Sequence, residues 1–157
     1  MVFERPNLSK SDLGEASRQM TCARLLLAGV KVFRPMGEDT PIDLLVLTES
    51  GKVLRCQCKC LYPETKAGKA TGAHLMNLYS IRKNGPASKA VKHKYTSEEV
   101  DFFLGYCLSN DGVYVIPYSV AANRSHLIFW IDRDPGHFNG TSSFDHKSWL
   151  NAYQYLL

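Results

Sequence analysis

A chain of 157 residues with 45% hydrophobic content can bury one core and is too short for two comfortable ones, so it reads as a single domain over residues 1–157. No apolar run approaches the ~20 residues of a membrane span, and the N-terminus lacks a signal peptide's basic-then-apolar layout, which excludes membrane and secreted classes and predicts a soluble cytoplasmic protein. The net charge of +4 is mild but uneven, because Lys66, Lys69, Arg82, Lys83, Lys89, Lys92 and Lys94 lie between Glu64 and Glu98 with no acid among them.

In chain order, Leu13, Ala16, Met20, Ala23 and Leu27 recur at helical spacing. Ser9 or Ser11 can cap the start, and Gly29 stands where a left-handed C-terminal residue belongs. The spacing predicts an N-terminal helix that buries this stripe. At 100° per residue, Glu15 falls roughly 120° from the stripe's middle, on its flank and early in the helix. After Gly29 the pattern turns to strands at Lys31–Arg34, Ile42–Thr48 and Val53–Leu61. Glu49, Ser50 and Gly51 form a three-residue hairpin loop between the last two, with Gly51 in the left-handed position such loops require. Thr48 then faces Lys52, and paired residue numbers sum to about one hundred by this register rule.

This register sets Asp43 opposite Gln57 on one sheet face, with Lys59 next along it. The other face of the same strand carries Leu54, Cys56, Cys58 and Cys60, small and apolar enough to pack under a helix. Five cysteines is an odd number, and three alternate within five residues, so reduced thiols fit better than a disulfide framework. Farther on, Ala73–Arg82 reads equally as strand or helix, and the stretch from Tyr95 to Glu99 as the capped start of a short helix. Asp101–Leu108 and Val113–Tyr118 flank Ser109-Asn-Asp-Gly, a hairpin signal, and His126–Ile131 is a further strand. Phe144–Leu157 predicts an aromatic-rich closing helix.

Hydrolysing a phosphodiester requires a cation that lowers the pKa of an attacking water and a positive group that stabilises charge on the phosphate. Carboxylate and amide oxygens suit a hard ion. Asp43 and Gln57 supply them on one face, Glu15 approaches from the helix, and Lys59 adds an ammonium. An acid, an amide and a lysine also make an ordinary polar sheet surface. Asp43 argues against that, since an acid at the head of an apolar strand has little structural use.

Pro41-Ile-Asp43 followed by Arg55-Cys-Gln57-Cys-Lys59 resembles the PD-(D/E)XK nucleases, whose site is an acid on one strand and an acid-x-lysine on the next. More narrowly, it is similar to the group I intron-associated homing endonucleases of that superfamily, in which glutamine replaces the second acid. Leu13-Gly-Glu15, Pro35, Tyr95 ahead of Val100-Asp-Phe-Phe, and Val113-Tyr-Val-Ile-Pro117 agree in order and spacing; the likeness covers roughly residues 10 to 120 and weakens in the tail. It implies an α/β, restriction-endonuclease-like core with a central mixed β-sheet flanked by helices. It also implies metal binding at Asp43 with help from Glu15, a neutral oxygen ligand at Gln57, and phosphate or water contact by Lys59. Pro41 stands one residue farther from Asp43 than the pattern has it, and Cys60 follows the lysine in place of a hydroxyl or small residue. An uncharged glutamine ligand predicts weak ion binding by the free protein.

The expected activity is a magnesium-dependent, site-specific cut in double-stranded DNA, with manganese as a possible substitute. The seven basic residues after the site strand would track phosphates. Cutting both strands with so small a chain calls for a homodimer or larger symmetric assembly. A Holliday-junction resolvase and a DNA-binding module with a defunct site are the alternatives. Zinc at Cys56, Cys58 and Cys60 is disfavoured because alternate strand residues point in parallel. An HNH site at His137, Asn139 and His146 is disfavoured by its compressed spacing.

Overall fold

The structure is a computed structural model that describes residues 8–37, 40–82, 89–131 and 146–157, with the side chain of Arg82 left undescribed. Ser9 adopts extended backbone and its hydroxyl accepts from the Asp12 N–H, which starts α1 (Lys10–Leu27). Gly29, at φ +81°, ends it. Then come β1 (Lys31–Phe33), β2 (Leu44–Leu47), β3 (Val53–Cys60), β4 (Tyr62–Lys66), β5 (Lys69–Asn77), β6 (Tyr79–Arg82) and β7 (Val91–Lys94). The chain continues through β8 (Phe102–Cys107), β9 (Gly112–Pro117), the single turn α2 (Tyr118–Ala121) and β10 (His126–Trp130). The stretch from Ala73 to Arg82 is therefore strand, split between β5 and β6. Thr96–Glu99 makes only a turn, closed by the Glu99 carboxylate accepting from the Thr96 N–H at 2.9 Å. The expected closing helix is two 3₁₀ turns, His146–Trp149 and Tyr153–Tyr155; its beginning, at Phe144, lies outside the described residues.

Strands β1-β2-β3-β8-β9 form a mixed sheet in that order, antiparallel except where β3 runs parallel to β8. The β2–β3 pairing joins Leu44 to Cys56 and Leu47 to Val53, as the loop chemistry predicts, and Thr48 N donates to Lys52 O at 2.9 Å. One sheet face buries Leu44, Val46, Leu54, Cys56, Cys58, Leu104 and Val115 together with Leu25 of α1. The other is covered at β8 and β9 by a second sheet, β10-β5-β4, through Met76, Leu127 and Phe129 against Phe103, Tyr114 and Ile116. The polar side of β3 borders an open cleft instead.

The face that α1 buries differs from the one its apolar spacing predicts. Ser17, Thr21 and Leu25 are buried, whereas Ala16, Met20, Ala23 and Leu27 are exposed, Leu27 by 81%. The cause is hydrogen bonding. Ser17 and Thr21 hydroxyls donate to the carbonyls of Leu13 and Ser17, each at 2.8 Å, so both small side chains arrive at the sheet already satisfied. Short side chains then let the helix come close to the thiols of β3.

Arg55 and Asp101 fix the start of the parallel pair. The Asp101 carboxylate accepts from Arg55 N (2.7 Å), Nε (3.0 Å) and Nη2 (2.9 Å), while Asp101 N donates to Arg55 O at 2.8 Å. These bonds hold the Asp101 carboxyl below the usual aspartate range. The stability they supply is complete above that range and is lost as pH falls through the lowered value.

Gly105 of β8, across from Lys59, is what lets the two sheets meet. A Cβ there would stand 2.6 Å from Met76 Sδ and 2.7 Å from Leu61 Cδ1, both on buried side chains. Gly105→Ala should therefore lower the stability measured by denaturant unfolding by about 1–3 kcal/mol. Gly14→Ala, which meets nothing within 4 Å in the middle of a helix, should raise it by up to about 1 kcal/mol.

Candidate active site

Asp43 precedes β2 by one residue, just past the last register pair Leu44–Cys56, and its N–H donates to Cys56 O at 3.0 Å, which leaves its side chain beside Gln57. Its Oδ2 accepts from the Cys58 N–H at 2.8 Å and from the Gln57 amide nitrogen. Burial raises the Asp43 carboxyl above the ordinary aspartate range, against the pull of Arg18 and of the Cys58 N–H. A carboxylate so placed gains from a nearby cation. Lys59, two residues along the same face from Gln57, donates from Nζ to Tyr79 O at 3.0 Å and to the Tyr95 hydroxyl at 3.1 Å. Its ammonium also lies 4.7 Å from the centre of the Tyr95 ring. Burial dominates here too, lowering the Lys59 pKa to about 8 despite the attraction of Asp43.

Glu15 joins this group at one remove. It is exposed on α1, accepts from Gln19 Nε2 at 2.6 Å, and pairs with Arg18 Nη1 at 2.8 Å and Arg34 Nη2 at 3.6 Å. The Gln19 hydrogen bond and these arginines hold its carboxyl low. Arg18 supplies the link, since its Nε stands 3.3 Å from Asp43 Oδ1. Glu15, Asp43, Gln57 and Lys59 all line one cleft of about 1730 Å³. Among the described residues, Lys10, Arg18, Arg34 and Lys59 line it together with the acids Glu15 and Asp43; Glu38 and Asp39, between cleft-lining Gly37 and Thr40, lie outside the described residues.

A hard divalent ion fits this donor set. Asp43 supplies a carboxylate, and Gln57 supplies an amide oxygen after a half-turn of its side-chain amide. The Cys58 carbonyl, 3.5 Å from Gln57 Nε2, is a third oxygen at the same place. Among the described residues no group of three or more His, Cys, Asp or Glu is placed to hold a metal. Sequence reasoning missed Arg18, Arg34, Tyr79 and the Cys58 carbonyl. Tyr95 was visible only as part of the family pattern.

Lys66 and Lys69 face each other beside the exposed turn Ala67-Gly68, beyond cleft-lining Thr65. Lys92 and Lys94 pair with Ile81 and Tyr79, which also line the cleft, and Lys92 Nζ sits 4.6 Å from the Tyr79 ring centre. Lys89 is exposed ahead of β7. Lys83 and the Arg82 side chain lie outside the described residues, as do His137 and Asn139. His146 packs its ring against Tyr114 and Phe129 and is buried, which is the environment of a core histidine.

A lysine whose pKa is lowered on folding weakens the native state below that pKa and does so less as pH rises from about 8 toward 10.5. Lys59→Met should therefore stabilise the protein at pH 7 by up to about 3.5 kcal/mol, from 1.4 kcal/mol per pKa unit over the fall from 10.5 to about 8. The advantage should shrink above pH 8. Chemical denaturation of both proteins across pH 7–10 measures the difference, in which the opposing buried thiols cancel; an advantage independent of pH would remove the buried charge from the explanation.

The PD-(D/E)XK endonuclease family matches residues 8–136. No curated protein sequence is significantly similar. Among solved structures, the bacterial homing endonuclease I-Ssp6803I superposes with a TM-score of 0.73 at 20% identity, covering 96% of this chain and 94% of its own. With most of its length matched by the family, the chain belongs to the PD-(D/E)XK endonuclease family.

Proposed function

We propose that this protein is a magnesium-dependent endonuclease that cuts double-stranded DNA at specific sites, as a homing endonuclease does. The observation that supports it is the Asp43–Gln57–Lys59 face, open on a large cleft, in a chain that belongs to this endonuclease family. The fold shared with a bacterial homing endonuclease favours the homing role over other members. No described helix is long and apolar enough to cross a membrane. A cytoplasmic, nucleoid-associated site of action in a bacterium or phage suits that role.

Magnesium, or manganese in its place, would lower the pKa of an attacking water and offset charge on the phosphate. Asp43, Gln57 and the Cys58 carbonyl would hold it, with Glu15 completing the set. Lys59 uses two of its three N–H donors on Tyr79 O and the Tyr95 hydroxyl, so the third is aimed by the other two and can donate to a phosphate oxygen. The Tyr95 ring and its hydroxyl thus position the ammonium while burial keeps bulk water from competing for it. A cut through both strands needs two such sites, and a homodimer or larger symmetric assembly supplies them.

The test is incubation of the protein, Asp43→Asn and Lys59→Ala with plasmid and genomic DNA, with magnesium or chelator, and sequencing of the ends. Discrete ends that need magnesium, with cleavage at least about 100-fold slower in either variant, are expected. Binding without cutting would make the protein a DNA-binding module, and preference for four-way junctions over linear duplex would make it a resolvase. Replacing Lys66, Lys69, Lys92 and Lys94 by alanine should weaken binding to all sequences alike and reduce the salt slope by about 0.9 for each phosphate that is no longer neutralised. An unchanged slope would remove these residues from the DNA interface.

A further inference from the structure

Arg18 belongs to no part of the nuclease pattern, yet it touches both acids of the site. Its Nη1 pairs with Glu15 Oε2 at 2.8 Å and its Nε lies 3.3 Å from Asp43 Oδ1, the oxygen that the Cys58 and Gln57 donors leave open. That Nε is buried and makes no hydrogen bond, so proximity to Asp43 neutralises charge without locking geometry. The side chain, 35% exposed, lines the cleft on the first half of α1. A +1 fork therefore stands between the two carboxylates that a divalent ion would share.

From this we infer that Arg18 is a switch: in the DNA-free protein it shields Glu15 and Asp43 from metal, and on a DNA complex it turns to clamp the phosphate at the cut. The inference rests on Asp43 being a metal ligand. Like-charge repulsion gives the first half, because an ion at Asp43 Oδ1 and the guanidinium compete for the same negative charge. Fork geometry gives the second, since planar N–H pairs match phosphate oxygens and Arg18 lines the cleft that a duplex would enter. Arg34, 3.6 Å from the other oxygen of Glu15, keeps that acid neutralised when Arg18 departs. Metal and DNA would then bind cooperatively, each removing the obstacle to the other.

The experiment titrates Mn²⁺ alone into the free protein, read by the electron paramagnetic resonance of unbound ion, for the natural chain, Arg18→Gln, Arg18→Lys and Asp43→Asn. Arg18→Gln should bind about tenfold tighter, the scale of one nearby positive charge removed. Arg18→Lys, which keeps the charge, should stay within about threefold of the natural chain by the same reasoning. Binding of a linear duplex with Ca²⁺, followed by anisotropy against salt, should weaken in Arg18→Gln with the slope smaller by about one. Mn²⁺ affinity unchanged in Arg18→Gln, or an unchanged slope, overturns the switch. If Asp43→Asn abolishes Mn²⁺ binding while Arg18→Gln changes nothing, the metal site stands and the switch alone fails. If Asp43→Asn has no effect, the metal site and the switch fall together.

Discussion

The site depends on the register of one hairpin. Gly51, at φ +82°, closes the turn between β2 and β3, and Gly51 N donates to Thr48 O at 3.0 Å. That closure decides that Leu44 and Val46 turn into the core while Asp43 turns toward Gln57. A slip of one residue would exchange the two faces, burying an acid among the thiols of β3 and exposing leucine to the cleft. The meeting of Asp43 and Gln57 thus follows from a loop outside the residues that line the cleft.

This much was legible in the sequence because short-range rules govern it. A three-residue loop ending in glycine, an apolar strand and an alternating one are sufficient to pair Asp43 with Gln57 and place the cysteines on the opposite face. The buried face of α1 was not legible, because apolar spacing treats Ser17 and Thr21 as solvent residues. Their hydroxyls are satisfied inside the helix itself, a fact that periodicity cannot register. Arg18, Arg34, Tyr79 and Tyr95 reach the site from α1, the segment after β1, and the β6–β7 region, which only the tertiary fold brings together. Arg55 and Asp101 show the converse: both stand in the stretches that resemble the family pattern, and their bonds tie β3 to β8 as structural parts.

The cleft exists because the second sheet stops short. Met76 and its neighbours cover β8 and β9, where Gly105 admits them, and leave the polar side of β3 open. At that boundary Lys59 is buried enough to lose its usual proton affinity, yet still faces a space large enough for substrate. Asp43 is displaced in the opposite direction by the same burial. Both shifts work against the folded state at neutral pH, and both strengthen electrostatic contacts with an ion or a phosphate by excluding water.

Beneath that polar row lies Cys56, pushed up to about 12 by burial, and Cys58, pushed well above the ordinary thiol range. Oxidation begins at the thiolate, and at neutral pH these groups almost never form one. An oxygen added to either sulfur would wedge a polar group between α1 and the strand that holds Gln57 and Lys59. Burial therefore keeps both sulfurs in the thiol form on which the packing of α1 against this strand depends.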